Sequence, residues 1–471
     1  MTPEEFRRYG HAVVDWVADY WSGLADRPVR STAAPGDVAG ALPPAAPEHG
    51  EGVEAMLSDL DRIIMPGITH WQHPAFFGYY PANTSGPSLL GDIVSGGLAV
   101  QGMLWSTSPA CTELETVVCD WLAALLGLPE TFRGRGVIQD TASSALVVAM
   151  LAALSRAGGA EWRERGTTGR YVMYASTQGH SSIPKAARIV GIGDSRLRLV
   201  DVDDATLAMR PDHLRSLIAA DRAAGYTPVA VVATIGTTST SAVDPLPEIG
   251  EVCREHGIWL HVDAAYAGAA AVCPEFQWIN AGAAGADSYC VNPHKWLLTG
   301  FDCDVLWVAD RAALLRATSM TPEYLRDSAS ESGQVIDYRD WQVPLGRRFR
   351  ALKLWFVLRW YGADGLRAHI RSGVALAQDF AGWVRADERF EVVAPHPFSL
   401  VCFRLRAGEE VNAELLRRLN ASGRLFLSHT EVHGRYTLRL AIGAPATRPE
   451  HVTDAWRRIR QEATRLAAVD R

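Results

Sequence analysis

Apolar positions run first at helical spacing, then in short buried blocks, then in alternation. Thr2-Pro3-Glu4-Glu5 carries the N-cap, first-turn proline and capping-box glutamate of a helix start, and Phe6, Val13, Val17, Tyr20 and Trp21 follow at helical spacing. Residues 31–47 are rich in Ala, Pro and Gly and predict an extended linker. Leu57, Leu60 and Ile64 predict a second amphipathic helix. Two such helices bury little by themselves. Residues 1–84 are therefore expected to form a helical arm that packs on something else, a second copy of the chain being a good candidate. From 85 to 361, short apolar runs at 136–138, 171–174, 230–235, 258–262, 289–291 and 305–308 are mostly separated by helical patterns. That alternation predicts an α/β domain with a mostly parallel sheet, whose ligands sit at the carboxyl ends of the strands. A long helix is expected around 351–360. Residues 362–471 predict a smaller α+β domain with strands at 400–404, 425–429 and 436–441 and a helix from about Pro449.

Composition narrows the picture. The net charge of -7 gives no reason to expect nucleic acid or an anionic membrane as partner. The opening MTPEEFRR lacks the basic-then-apolar order of a signal peptide, and no run of about 18 apolar residues stands out as a membrane span. Seven dispersed cysteines without a CxxC pair predict buried thiols in a reducing cytoplasm, with no disulfides and no metal site. Neither HExxH nor GxSxG occurs, which leaves a zinc or serine hydrolase without support. Lysine appears only at Lys185, Lys295 and Lys353; every other basic residue is arginine. A lysine kept in such a chain is a candidate for a task closed to guanidinium, such as forming an imine.

Four predicted strand ends carry chemistry. After 136–138 comes Asp140-Thr141-Ala142-Ser143-Ser144, a hydroxyl-rich turn opening a helix; after 171–174 comes Gln178-Gly179-His180-Ser181. After 258–262 comes Asp263-Ala264-Ala265-Tyr266, and after 289–291 comes Asn292-Pro293-His294-Lys295-Trp296. Singly, each has a plain structural explanation: Thr141 and Ser143 as helix caps, His180 as a satisfied polar residue, Asp263 as a cap or ion-pair partner. Lys295 is harder to explain that way, because lysine is almost never buried without a partner. Together the four complement one ligand, pyridoxal phosphate. Its phosphate suits the N–H groups and hydroxyls of Thr141, Ala142 and Ser143. Its ring can stack on His180, its ring nitrogen needs a buried carboxylate such as Asp263, and its aldehyde needs a lysine of depressed pKa.

The stretches MPGITHWQHPAFFGYYPA (65–82), SPACTELE (108–115), HVDAAYAG (261–268), NPHKWLL (292–298) and LGRRFRALKLWF (345–356) closely resemble the group II pyridoxal-phosphate decarboxylases. Within that family the likeness is nearest to the aromatic-L-amino-acid decarboxylases. The resemblance implies the aspartate-aminotransferase-like fold (fold type I) and a homodimer with shared active sites. It implies that Lys295 is the Schiff-base lysine, Asp263 the pyridinium partner and His180 the stacking ring, with Ala265 on the other ring face. Thr141, Ala142, Ser143 and Asn292 then bind the phosphate, and Thr238 lies near the ring substituents. His294 approaches the substrate, Tyr324 is the tyrosine of a mobile catalytic loop at 321–333, and Leu345 and Gly346 reach the phosphate region from the partner chain.

The activity so implied is decarboxylation of an aromatic L-amino acid to its amine. A sister activity forms the aldehyde oxidatively, and its members typically replace the loop tyrosine with phenylalanine or the stacking histidine with asparagine. Tyr324 and His180 favour the amine. A non-catalytic homologue is disfavoured by Lys295, Asp263 and Tyr324. The substrate pocket is expected to include Trp71, Tyr79, Tyr80, Pro81, Ala82, Gln101, Met103 and His294. Ala82 stands where the DOPA decarboxylase pattern has threonine, and Gln101 and Met103 replace an Ile and a Phe. With Gly346, which relatives of indole specificity tend to share, they point to tryptophan or a substituted tryptophan, then to phenylalanine, tyrosine or DOPA.

Overall fold

A computed structural model describes residues 1–320 and 335–469, so Tyr324 and the loop expected around it lie outside the described residues. The chain sorts into two compact units. One comprises Met1–Pro81, Phe380–Val392 and Phe403–Arg471, and the other Ala82–Asp379 and Val393–Cys402. The described strands are β1 (Phe76–Phe77), β2 (Gly136–Gln139), β3 (Tyr171–Ser176), β4 (Leu197–Val200), β5 (Thr227–Thr234), β6 (Trp259–Asp263), β7 (Ser288–Val291), β8 (Asp304–Val308), β9 (Phe390–Val392), β10 (Leu400–Leu405), β11 (Phe426–Val432) and β12 (Arg435–Ala441).

In the larger unit, seven strands form a sheet of order β2-β8-β7-β6-β5-β3-β4. Strands β4, β3, β5, β6 and β7 pair in parallel, whereas β8 runs antiparallel to both β7 and β2. The mostly parallel sheet expected from the alternating pattern is therefore present, with one reversed strand. Its interior strands are buried apart from Thr227 at the start of β5, as a sheet covered on both faces requires. Helix Ala142–Arg165 covers one face: Ala145, Leu146, Ala149 and Ala153 pack with Val137, Met173, Val232 and Leu306. It is the one described helix long and apolar enough to cross a membrane, a correction to the absence of such a run in the sequence reading. Here that apolarity is matched by the sheet.

The second sheet has the order β1-β11-β12-β10-β9. Phe76 and Phe77 pair in parallel with Phe426 and Leu427, so the N-terminal segment contributes a strand as well as helices. The capping box at Thr2 and Glu5 forms, but helix Pro3–Ser22 has no buried residue, and Phe6, Val13 and Trp21 are exposed. Within 31–47 the chain is not extended throughout. Asp37 accepts the Ala34 N–H at 2.7 Å and opens the short helix Asp37–Ala41. The helix expected around 351–360 runs on as Ala351–Arg385, interrupted only at Gly362, whose φ of 60° a residue without Cβ tolerates.

A buried ion pair ties the larger unit together. Glu115, on helix Pro109–Leu125, accepts from Arg347 Nη2 at 2.6 Å and from the Ile138 N–H at 2.8 Å. Arg347 also donates to Ile138 O at 2.9 Å and to Gln342 at 2.9 Å, with its guanidinium 4.7 Å from the Tyr338 ring centroid. Both side chains are almost entirely shut off from water. Glu115→Ala would leave the Arg347 cation buried and unpaired, at a cost of about 3–5 kcal/mol. The expected outcome is a lower denaturant midpoint with an unchanged slope. A midpoint equal to that of the parent chain would remove this pair from the frame of the fold.

Candidate active site

The carboxyl edge of the seven-stranded sheet collects the predicted groups. Parallel strands all end at one edge, so residues just past them meet there although they are distant in sequence. Thr141 follows β2, His180 follows β3, Thr238 follows β5, Asp263 ends β6, and Asn292 to Lys295 follow β7. Asp263 is opposite Thr234 on β5 and Cys290 on β7, and Cys290 is opposite Leu306 on β8. Partners in register share a face. Cys290 and Leu306 belong to the core beneath helix Ala142–Arg165, so the Asp263 carboxylate lies on that covered face. It is buried, and its Oδ1 accepts the Ala265 N–H at 3.1 Å, which fixes both residues in one tight turn.

Burial sets the protonation of the basic groups. The Lys295 amine lies deep among protein atoms, which lowers its pKa from the ordinary lysine value, while Asp263, Cys290 and Asp304 pull the other way. The residue as a whole keeps some accessible surface, as a lysine at the floor of an opening would. Its Nζ makes no hydrogen bond among the described residues. His180 is lowered by burial and by Lys295, with Asp263 opposing. Its Nδ1 lies 3.1 Å from the Ser182 N–H and 2.8 Å from Ser182 Oγ, so the ring orientation is held from one edge. His294 is pushed down to about 3, by burial first and Lys295 second. Its Nδ1 accepts the Cys303 N–H at 3.0 Å, and its ring lies 4.7 Å from that of Phe301. A histidine held this way is a neutral ring whose remaining nitrogen can serve a ligand.

The donor set fits a phosphorylated pyridine aldehyde. Helix Ala142–Arg165 starts at Thr141 without a side-chain cap, and the N–H groups of Ala142 and Ser143 meet no acceptor among the described residues. An uncapped helix start is a place for an anion. Asn292 is buried at the same edge, and its side-chain amide N–H can donate to an anion. A carboxylate, a lysine amine and an imidazole complete the match to ring nitrogen, aldehyde and ring face. Ala265, buried and small, leaves room beside them.

The remaining predicted residues are spread more widely. Thr238 is exposed on the loop after β5. Gly346 lines a cavity of about 440 Å³ together with Asp140, Ser143 and Gln342, and Leu345 beside it is exposed. Gln101 Oε1 accepts the Arg347 N–H at 2.7 Å, and Met103 is half-buried with its carbonyl accepting from Arg339. Trp71, Tyr79, Tyr80 and Pro81 belong to the other compact unit, where Trp71 stacks on Tyr79 at 5.5 Å and Arg439 lies 5.4 Å from the Tyr80 ring. Ala82 is the first residue of the larger unit. One acid at this edge escaped the sequence reading: Asp304, at the start of the reversed strand β8. The signal that finds it is an acid preceding an apolar run.

Residues 35–406 match the family described as the pyridoxal-dependent decarboxylase conserved domain. A phenylacetaldehyde synthase of Arabidopsis thaliana is 46% identical over 99% of this chain and 97% of its own length. A tryptophan decarboxylase 2 of Oryza sativa subsp. japonica is 45% identical over 99% of this chain and 96% of its own. The crystal structure of Oryza sativa TDC with PLP and tryptamine superposes with a TM-score of 0.96 at 39% identity, covering 99% of each chain.

The buried histidines give the fold an acid sensitivity. His261, wholly buried on β6, is pushed down to about 4 by burial and faces Ser288 Oγ at 2.9 Å. The unfolded chain protonates it near 6.5 and the folded chain resists, so its stabilisation is complete above 6.5 and is lost as pH falls toward 4. Within that window His261→Asn should flatten the fall of unfolding free energy by about 1.4 kcal/mol per pH unit. Identical slopes in denaturant titrations of variant and parent would mean that His261 is not held neutral.

Proposed function

The chain belongs to the pyridoxal-dependent decarboxylase family and has the fold-type-I architecture of its solved members, and from that premise we propose how its residues decarboxylate an aromatic L-amino acid with pyridoxal phosphate. The observation that carries the proposal is the meeting of Asp263, Lys295, His180 and an uncapped helix start at one sheet edge. Lys295 is the amine that bonds the cofactor, and its burial favours the neutral, nucleophilic form. Ala142 and Ser143 N–H groups, the hydroxyls of Thr141 and Ser143, and Asn292 would hold the phosphate. With the cofactor bound, Asp263 would keep a proton on its ring nitrogen, and His180 and Ala265 would flank the ring. Bound there, the cofactor supplies an electron sink for the pair left when the bond from Cα to the carboxylate breaks. Neutral His294 faces the substrate, and Tyr324 delivers the proton to Cα, which yields the amine.

Among aromatic substrates we favour tryptophan or a substituted tryptophan. Ala82, Gln101, Met103 and Gly346 support this, since each departs from the catechol pattern or matches the indole one. The exposed apolar side of helix Pro3–Ser22 supports a homodimer, in which Leu345 and Gly346 would reach the partner's site. Seven free, buried cysteines support a reducing compartment, the cytoplasm, and amine biosynthesis there. Sedimentation of the full chain as a fully active monomer would end the dimer reading.

A panel of aromatic L-amino acids, assayed for carbon dioxide, amine and peroxide, tests the activity. Tryptophan should give the highest kcat/KM with amine matching carbon dioxide; peroxide matching carbon dioxide would make the chain an aldehyde synthase instead. Lys295→Ala should lose both the visible absorbance of bound cofactor and turnover. Tyr324→Phe should still release carbon dioxide but divert product to aldehyde, ammonia and peroxide. Amine at the parent rate from Tyr324→Phe would pass the protonating role to His180.

A further inference from the structure

Helix Ser182–Ile189 begins two residues after His180, and its first residue closes a tight turn onto the imidazole. The Ser182 N–H nitrogen lies 3.1 Å from His180 Nδ1, and Ser182 Oγ lies 2.8 Å from the same atom. A main-chain N–H can only donate, so Nδ1 must present its lone pair there. The hydrogen of the neutral ring is therefore on Nε2. Protonation would set a second hydrogen on Nδ1, facing the Ser182 N–H, and would exchange a hydrogen bond for a contact between two donors. The turn has little room to yield. Ser182 is buried, the Ile183 N–H donates to His180 O at 3.0 Å, and the Gly179 N–H donates to Ser176 O at 2.9 Å. His294 is held by the same device, its Nδ1 accepting the Cys303 N–H. Burial is the largest influence against a cation at His180; of the titratable groups around it, Asp263 from β6 favours one and Lys295 after β7 opposes it.

We propose that Ser182 sets the chemistry of His180, its N–H fixing the hydrogen on Nε2 and its hydroxyl fixing the plane of the ring, so that His180 meets a ligand as a neutral hydrogen-bond donor and neither gains nor loses a proton in turnover. Ser182 is thus a positioning residue that acts through His180, and the inference rests on His180 lying against the cofactor ring. The arrangement has a physical reason. A pyridine ring kept protonated by Asp263 would carry positive charge, and an imidazolium flat against it would set two cations face to face in a space poor in water. A neutral imidazole avoids that repulsion. With its hydrogen moved to Nδ1, the ring would instead expose a lone pair at Nε2, a base able to draw a proton from the ligand. The Ser182 turn withholds both states.

The test is nitrogen NMR of the full chain with labelled histidine, first stripped of cofactor and then loaded with pyridoxal phosphate, from about pH 6 to 8. The signals lost in His180→Asn identify the ring. His180 should show Nε2–H and a bare Nδ1 throughout. A hydrogen on Nδ1, or titration at the ordinary value of 6.5, overturns the proposal. Ser182→Ala keeps the N–H and removes the hydroxyl. It should leave the tautomer in place and weaken the hold on pyridoxal phosphate by about twofold to tenfold, the range of one lost hydrogen bond. Ser182→Thr, which keeps the hydroxyl, should bind the cofactor as the parent does. A lower denaturant midpoint in Ser182→Ala with unchanged cofactor affinity would make the hydroxyl a support of the fold alone and overturn its part. Cofactor loading that leaves the His180 signals unmoved would instead break the assignment of His180 to the cofactor ring, with the tautomer untouched.

Discussion

A negative charge set beneath an apolar helix must find a positive one nearby or give up its ionisation. Asp263 stands in that position, at the end of a buried strand, on the face covered by helix Ala142–Arg165. Lys295 is the neighbouring basic group, and its ionisation responds both to the burial around it and to that carboxylate. The same water-poor surroundings that enclose Asp263 make Lys295 reluctant to remain a cation. A ligand with a basic ring nitrogen and an electrophilic carbon offers a partner to both groups. His180 and His294, pushed toward neutrality by the same burial, add no competing charge.

That balance requires a rigid floor. The sheet supplies it, because every interior strand is covered and none can shift register without moving buried side chains. The Glu115 and Arg347 pair adds a second constraint, joining helix Pro109–Leu125, the backbone of β2 and the segment carrying Gln342 and Gly346. The turn at Thr141 follows β2 directly, so the anchor of that strand is also the anchor of the anion-binding helix start.

Much of this was legible in the residues. Strand β5 is a nearly continuous apolar run and β6 is one broken by His261, and the acid that ends β6 and the lysine after β7 announce themselves by contrast with what precedes them. Other features carry no such contrast. Leu197–Val200 alternates with Arg198 at the sheet edge, and its half-wet pattern matches a loop as well as a strand. Phe76–Phe77 is two residues long and acquires strand geometry only from Phe426 and Leu427, far away in sequence. Asp304 was missed because strand direction is a property of topology: the start of a strand lies at the functional edge only if that strand is reversed. Local composition likewise hides the short helix at Asp37–Ala41, where a single carboxylate bond outweighs the Pro and Gly around it.

The seven cysteines have a consequence of another kind. All are buried, and burial holds the thiols of Cys111, Cys119, Cys253, Cys273, Cys290 and Cys303 above the ordinary thiol range. Attack on alkylating or oxidising reagents needs a thiolate that the reagent can touch, and the fold withholds both. The sulfur atoms therefore become reactive when the surrounding structure opens, not when the medium changes. They make a built-in clock of unfolding, spread from the helix that bears Glu115 to the strand that bears Asp304, and whichever thiol is labelled first marks where the molecule comes apart.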